Sequence, residues 1–277
     1  MSAAPTKPPT PAPKAPPAGR RRPLVLAACG AATAALLGVA ALAPLPFSVT
    51  RPGMTADVLG AYRGETVITV TGAEVRRPEG ELRMTTINAT SPEATVRMAD
   101  VLTGWLADDE AVMPREAVYP VGDTPEEINR HNAGQMRESQ EVAVTAALAH
   151  LGLEDSGIEV ELNLADVGGP SAGLLFSLGI VDLLEGDGEG GDLTGGRTVA
   201  GTGTIEADGT VGPVGGVPLK LRAARRDGAT VFLVPREECG DATADTPEGL
   251  RLIPVGTLTD ALDALRALNA GGDVPSC

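Results

Sequence analysis

Twenty consecutive residues without a charged side chain, 24–43, follow three arginines at positions 20–22. An α-helix rises about 1.5 Å per residue, so a helix of this length spans the ~30 Å hydrocarbon core of a lipid bilayer. Basic residues favour the cytoplasmic side of such a helix. The sequence therefore predicts a single-pass membrane anchor over residues 24–43, with the N-terminus in the cytoplasm and the bulk of the chain outside.

A cleaved signal peptide is the alternative interpretation of the same run, because Ala41-Leu42-Ala43 fits an A-x-A cleavage site. Two features favour the uncleaved anchor. The run is longer than the ~7–15 apolar residues of a signal peptide. In addition, Pro44 would directly follow the scissile bond, where it would hinder cleavage.

The segments on either side of the predicted anchor are rich in proline. Residues 1–23 hold five basic residues and no acidic one among many Pro and Ala, and they predict a disordered cytoplasmic tail. Residues 44–63 contain three prolines and predict a linker close to the membrane.

Charge and composition exclude several classes of function. The net charge is −15, and all 37 acidic residues lie after residue 23. Contacts to phosphate need a basic surface, so we expect no nucleic-acid partner. The two histidines and three cysteines show neither a CxxC pair nor a spacing typical of zinc sites. We therefore expect no metal and no cofactor.

Residues 64–134 predict an N-terminal extracytoplasmic segment of mixed α/β structure. Residues 65–71 and 81–88 are rich in β-branched side chains, and the turn-forming residues between them predict a hairpin. A helix is predicted over about residues 91–106, with the only tryptophan, Trp105, on its core-facing side.

A longer helix is predicted from Asp123 to about residue 151, with a break at Gly134. A capping residue, a proline and two acids mark its start. His131 and His150 fall on this helix without a Ser or Cys neighbour in a catalytic arrangement, so we interpret both as structural.

Strands and helices alternate through residues 135–270, which predicts an α/β or α+β fold. A strand over 158–164 leads into an apolar helix over 172–184. Asp208-Gly209 between two short strands predicts a hairpin turn.

One serine and one lysine in this half have the surroundings of a catalytic pair. Ser171 lies in a turn, residues 168–173, that reads Gly-Gly-Pro-Ser-Ala-Gly. Lys220 is the only lysine after residue 14 and has apolar neighbours on both sides. A serine hydroxyl needs a base to become a nucleophile, and burial lowers the pKa of a lysine so that its amine can serve. We hypothesise that Ser171 is a nucleophile and Lys220 its base.

The backbone of the turn suits the same chemistry. Gly169 allows conformations closed to other residues, and Pro170 stiffens the turn. Free backbone N–H groups where the helix starts, around Ala172, can stabilise an oxyanion. The alternative is that Ser171 merely caps the helix, and spacing and turn chemistry alone leave both interpretations open.

Three segments in fixed order resemble the proteolytic domain of Lon proteases. Residues 169–173 read G-P-S-A-G, residues 202–203 read T-G, and residues 215–220 read G-G-V-P-L-K. The resemblance covers about residues 135–268 and implies the Lon proteolytic-domain fold. It also implies a serine endopeptidase in which Ser171 is the nucleophile, Lys220 the general base and Thr202 a hydroxyl that positions the lysine.

The resemblance is closer to the membrane-anchored, ATP-independent branch that carries a PDZ module, but three features depart from it. Only some fifteen residues separate the helix that ends near 152 from Gly168, so the PDZ module is missing. Gly168 stands where many Lon proteases have an acidic residue. Residues 185–196 form a longer acidic loop.

The resemblance thus implies an endopeptidase of unfolded or exposed polypeptide that forms a ring-like homo-oligomer. The chain contains no Gly-Lys dipeptide and hence no P-loop for ATP. The alternative is a catalytically inert Lon-like module for binding or assembly at the membrane.

Cys239 and Cys277 would face an oxidising compartment in the predicted topology. A disulfide that ties down the C-terminus is therefore a hypothesis, and two free thiols are the alternative.

Overall fold

The computed structural model describes residues 21–122, 124–164 and 167–277. Helix α1 (Arg21–Leu42) belongs to one compact unit, and Pro44–Cys277 form a second. Arg22–Leu42 is long and apolar enough to cross a membrane, and none of it is buried by the protein. The predicted tail lies, up to residue 20, outside the described residues.

A six-stranded mixed sheet forms the centre of Pro44–Cys277. The described strands are β1 (Phe47–Asp57), β2 (Ala61–Tyr62), β3 (Glu65–Thr66), β4 (Ile68–Thr71), β5 (Glu81–Ala89), β6 (Ala111–Pro114), β7 (Glu159–Leu162), β8 (Thr198–Gly201), β9 (Thr204–Ile205), β10 (Val211–Gly212), β11 (Val231–Pro235) and β12 (Arg251–Val255). The order in the large sheet is β12-β11-β8-β5-β1-β6. Strands β12, β11, β8 and β5 are parallel, whereas β1 pairs antiparallel with β5 and β6.

Helices cover both faces of the parallel part of this sheet. The described helices of this unit are α2 (Met98–Leu106), α3 (Arg115–Val118), α4 (Pro125–Leu151), α5 (Gly173–Leu184), α6 (Val217–Arg226), the 3₁₀ helix Arg236–Glu238, α7 (Cys239–Ala244) and α8 (Leu258–Asn269). Side chains of β11 alternate between the two faces: Val231 and Leu233 join the core beneath α4, α5 and α8, and Phe232 and Val234 join the core beneath α6 and α7. The fold is of the predicted α/β class.

The caps of the long helices follow from the sequence. Thr124 accepts a hydrogen bond from Glu127 N at the start of α4, and Gly152 ends α4 in the left-handed conformation. Asp123, where the sequence predicts that the helix begins, lies outside the described residues. The helix is continuous through Gly134, so the predicted break is wrong. Thr257 caps α8 by accepting a hydrogen bond from Asp260 N.

The prediction of a linker over residues 44–63 is wrong. Phe47–Asp57 is a strand that lies between β5 and β6 inside the sheet. The proline and glycine that suggest a linker lie at a register shift between Pro52 and Thr55. A Cβ on Gly53 would be within 2.6 Å of the Thr86 backbone, so the strand needs glycine there to approach β5.

The division between residues 64–134 and 135–270 is also not a domain boundary. Strand β5 from the first segment pairs in parallel with β8 from the second, and both belong to one sheet. The predicted hairpin of residues 65–71 and 81–88 does not form, because β4 pairs with β7 instead. The hairpin at Asp208-Gly209, by contrast, joins β9 and β10 as predicted.

Helix α2 is shorter than predicted, and the side of the helix that carries Trp105 faces solvent instead of the core. It begins after Arg97, whose backbone N–H donates to Asp100. Val101 and Gly104 are its buried residues, and Trp105 is exposed rather than part of the core.

A disulfide joins Cys239, the first residue of α7, to the C-terminal Cys277. It closes a loop of 38 residues and holds the segment after α8 against α7. Cys29 in α1 is free.

Candidate active site

The Gly/Pro turn before α5 is held against helix α4 by two hydrogen bonds. Gly169 N donates to Asn132 O at 3.2 Å, and the buried Ser139 Oγ donates to Pro170 O at 3.0 Å. Gly168 passes so close to α4 that a Cβ on it would be 2.7 Å from the Asn132 Cβ. Gly169 has φ of +89°, which favours glycine. These contacts fix the conformation of the turn.

Ser171 follows this turn and does not cap the helix, because the N-cap of α5 is Ala172. The Ser171 carbonyl accepts from Gly203 N at 2.9 Å and from Thr202 Oγ1 at 3.2 Å. Among the described residues, the N–H groups of Ser171 and Ala172 donate to no other group. They are therefore free to bind a carbonyl oxygen.

The hydrogen bond from Ser139 also sets the direction of one of these N–H groups. The C=O and N–H of a trans peptide unit point in opposite directions, and the described backbone has no cis peptide bond. Because the Pro170 C=O points toward Ser139, the Ser171 N–H points away from it. Ser139 thus orients a donor beside the Ser171 hydroxyl.

Lys220 lies in the second turn of α6 and is only 3% exposed. Its Nζ donates to Thr202 Oγ1 at 2.9 Å. Burial lowers the pKa of Lys220 to about 8, and the Glu238 carboxylate opposes this shift only in part. A substantial fraction of the amine is therefore neutral at mildly alkaline pH.

Ser171 and Lys220 line the same cleft, a cavity of about 550 Å³. Thr202 links them, since its hydroxyl accepts from the lysine and donates to the serine carbonyl. No hydrogen bond joins Ser171 Oγ to Lys220 Nζ in the described part of the chain. The structure thus brings together the three residues that the sequence singles out, and Ser171 and Lys220 line one cavity.

The cleft also has walls that the sequence does not predict. Strand β5 contributes Thr86, Ile87 and Ala89, and the segment after α3 contributes Tyr119. His131, interpreted above as structural, lines the cleft and is half-buried. The incorrect hairpin prediction gives no reason to expect β5 at the cleft. The end of β5 reaches the serine turn because β5 pairs with β8.

A buried neutral amine near a serine hydroxyl can act as a general base. No group of three or more His, Cys, Asp or Glu in the described ranges is arranged to hold a metal ion.

Residues 134–266 match the family model of the Lon protease (S16) C-terminal proteolytic domain. This segment is similar in sequence to a Lon proteolytic domain. It contains the serine turn, Thr202 and Lys220. Strands β1, β5 and β6 lie before the matched segment, although they belong to the same sheet.

Several Lon proteases are similar to this chain. Lon protease 2 of Bacillus subtilis is 30% identical over 125 residues, which are 44% of this chain and 21% of the relative. Archaeal Lon protease of Halobacterium salinarum is 27% identical over 188 residues, 64% of this chain and 26% of the relative. Lon protease of Azospirillum brasilense is 39% identical over 98 residues, 34% of this chain and 11% of the relative. The matches thus span about a quarter or less of these relatives.

Proposed function

We propose that this chain is a membrane-anchored serine endopeptidase that uses a Ser171–Lys220 dyad. The observation that carries the proposal is the buried Lys220 amine, hydrogen-bonded to Thr202 Oγ1 in the cleft that Ser171 lines. A lysine is rarely buried without a paired acid unless its neutral form has a use. The ordered match to a protease domain supplies the reaction class.

The proposed reaction begins with proton transfer from the Ser171 hydroxyl to the neutral Lys220 amine. The serine oxygen attacks the carbonyl carbon of a peptide bond, and the negative charge on the carbonyl oxygen is stabilised by the backbone N–H groups of Ser171 and Ala172. The lysine ammonium then protonates the leaving amine. A water molecule, deprotonated by the same amine, hydrolyses the acyl-enzyme and regenerates the serine.

Rotation of the Ser171 side chain brings its hydroxyl toward the amine when substrate binds. Catalytic hydrogen bonds often form only in the substrate complex. Thr202 holds the amine by accepting one of its hydrogens, so that the nitrogen lone pair is available to the serine.

The proposed substrates are unfolded polypeptides or exposed loops of folded ones. The cleft opens at the surface and lies next to the end of strand β5, whose last residues have no partner on the β8 side among the described residues. The chain has no P-loop, so the proposed cleavage needs no ATP. A ring-like homo-oligomer, implied by the family resemblance, is part of the proposal and is tested by the mass of the assembly in solution.

The proposed location is a cell membrane, with α1 as a single-pass anchor and the Lon domain on the extracytoplasmic side. The length and apolar character of Arg22–Leu42 support the anchor. The arginines at its N-terminal end support a cytoplasmic N-terminus. The disulfide of Cys239 and Cys277 fits an oxidising compartment.

The test is cleavage of casein by the purified full-length chain in detergent, without ATP. We expect Ser171→Ala and Lys220→Met each to abolish cleavage, because one removes the nucleophile and the other the base. Ser91→Ala, at an exposed serine away from the cleft, is the matched control and should cleave like the wild type. Equal cleavage by the wild type and Ser171→Ala would overturn the proposal, and a wild type inert toward varied unfolded substrates would favour the binding module.

A further inference from the structure

Helix α2 presents an apolar stripe to solvent. The side chains of this α2 stripe are Met98 (37% exposed), Leu102 (48%), Trp105 (70%) and Leu106 (85%). Their spacing of three and four residues places them on one face of the helix. Large apolar side chains collected on one exposed face mark a surface that binds a partner.

The opposite face of α2 fixes the direction of this stripe. Val101 and Gly104 are buried against the sheet, and a Cβ on Gly104 would be 3.0 Å from Val112 Cγ2 of β6. Val101 packs with Val96 and Val49 in a small core of its own. The folded domain therefore holds the α2 stripe outward, away from the sheet.

The chain connection places α2 near the end of the proposed anchor. Leu45 N donates to Val96 O at 2.8 Å, and Val96 directly precedes Arg97, the N-cap of α2. Leu45 follows the last residue of α1, Leu42, by three positions. Three residues reach about 11 Å at most, so in a chain anchored through α1 the start of α2 lies close to the bilayer surface.

We propose that the α2 stripe inserts into the interfacial layer of the extracytoplasmic leaflet and so gives the protease domain a second, non-covalent attachment to the membrane. The inference rests on the proposed anchoring by α1. A tryptophan flanked by Leu and Met is the composition expected of a helix at the boundary of headgroups and acyl chains. Two attachments restrict the domain far more than a single flexible connection does.

Charge specifies the lipid that suits this surface. Asp108 and Asp109 lie two and three residues after Leu106 and are exposed, and Asp100 lies within the helix. They outnumber the one basic residue of this segment, Arg97 at the N-cap of α2. An anionic membrane repels these carboxylates, whereas a zwitterionic one does not. The proposed partner is therefore a neutral, phosphatidylcholine-like surface.

Trp105 is the only tryptophan in the chain, so its fluorescence reports on the stripe alone. The experiment reconstitutes the full chain into phosphatidylcholine vesicles with and without acyl-chain-brominated lipid, and measures quenching by the bromolipid and by iodide in the water. We expect bromolipid to remove about half of the emission or more, and iodide to have little effect, because the ring lies in the interfacial layer. Vesicles with added phosphatidylglycerol should give weaker quenching by bromolipid.

Two double variants test whether membrane contact depends on the α2 stripe or on exposed apolar side chains in general. Leu102→Ser together with Leu106→Ser leaves the reporter in place and should reduce bromolipid quenching severalfold. Val75→Ser together with Val121→Ser changes two exposed valines elsewhere and should leave the quenching unchanged. Equal quenching in both double variants would overturn the inference.

Co-sedimentation with the vesicles distinguishes failure of the inference from failure of the anchor. A chain that sediments with vesicles while iodide alone quenches Trp105 would overturn the inference and leave the anchor standing. A chain that does not sediment would overturn both. Protection from iodide without bromolipid quenching, increasing with protein concentration, would assign the stripe to a contact between copies and overturn the inference.

Discussion

Lys220 owes its proposed role to what surrounds it. The amine is buried, its hydrogen-bond partner is a neutral hydroxyl, and in the described part of the chain no carboxylate pairs with it. Desolvation therefore favours the neutral amine, which is the form that a base requires. Thr202 supplies the connection between this amine and the backbone of Ser171.

We predict that kcat/KM for a peptide substrate rises with pH and levels off above a pKa of about 8, the value for Lys220. The sign follows because protonation removes the lone pair: below this pKa the rate should fall about tenfold per pH unit. The measurement is the pH–rate profile between mildly acidic and alkaline pH. A profile that is flat across this pKa would contradict the assignment of the base.

Thr202→Val should lower kcat/KM by about ten- to a hundredfold, because loss of a buried hydrogen-bond partner costs about 1–3 kcal/mol. Thr202→Ser keeps the hydroxyl and should retain most of the activity. The comparison is made at a pH above the plateau, with thermal unfolding of both variants as the control. Equal activity of the two variants would show that the hydroxyl does not matter.

Ser139 offers a further prediction, because it orients the Pro170–Ser171 peptide. Ser139→Ala should lower kcat with little change in KM, since the oxyanion donor is misdirected while the cleft keeps its shape. Ser177→Ala is the matched control: Ser177 also donates a buried hydrogen bond across to α4, at Ala143 O, but away from the turn. Both changes should cost about 1 kcal/mol of stability, and only the first should affect kcat. A similar loss of kcat in both would assign Ser139 a structural role alone.

The residues of the proposed reaction are easier to identify in the sequence than the residues that hold them in place. Ser171, Thr202 and Lys220 stand in motifs whose order is visible in the chain. Ser139 and Asn132 act through single contacts to a turn some thirty residues away, and no local pattern indicates such a pairing. The interpretation of Ser171 as a cap fails because the tight turn displaces the helix start by one residue.

At the scale of elements, the sequence predicts helices and strands better than it predicts pairing. Strand β7 and the helices α4 and α5 lie within a few residues of their predicted positions. Strand β1 is missed because Pro52 and Gly53 are typical of linkers, yet here they occupy an irregularity within a strand. Strands β4 and β5 pair with strands that are distant in the sequence. The turn-forming residues between β4 and β5 therefore lead to an incorrect prediction that these two strands pair with each other.

The disulfide carries a prediction at this scale. Cys277→Ser should lower the free energy of unfolding by about 2–4 kcal/mol, because the bond closes a loop of 38 residues in the unfolded chain. The measurement is urea unfolding of the full-length protein in detergent under oxidising conditions. Addition of a reductant to the wild type should reproduce the loss, and Cys29→Ser, at the free cysteine, should not. Equal unfolding midpoints of wild type and Cys277→Ser would contradict a stabilising bridge.

For the whole molecule, the structure places the N-terminal boundary of the unit that carries the candidate site before the segment matched by the family model. The family match begins at residue 134, but the sheet that supports the serine turn includes β1 and β5. Composition alone cannot reveal this, because β1 contains Pro52 and Gly53, and β5 pairs with β8, which is distant in sequence. The unit that folds is Pro44–Cys277.

We predict that a fragment of residues 44–277 unfolds cooperatively on heating, whereas a fragment of residues 64–277 does not. The shorter fragment lacks β1, which lies between β5 and β6 and pairs with both. Loss of a strand from inside a sheet exposes its apolar faces and leaves backbone groups of both neighbours unpaired. Circular dichroism during heating distinguishes the two, and a cooperative transition at a similar temperature in both would restore the interpretation of residues 44–63 as a linker.

The central claim is that Ser171 forms an acyl-enzyme when Lys220 is neutral. The most direct measurement is the intact mass of the full-length protein after brief exposure to an activated peptide ester, followed by peptide mapping. We predict one acyl group, located on Ser171, that accumulates faster as pH rises through a pKa of about 8 and is absent in Ser171→Ala and Lys220→Met. An acyl group on another residue, or its undiminished appearance in Ser171→Ala, would contradict the claim.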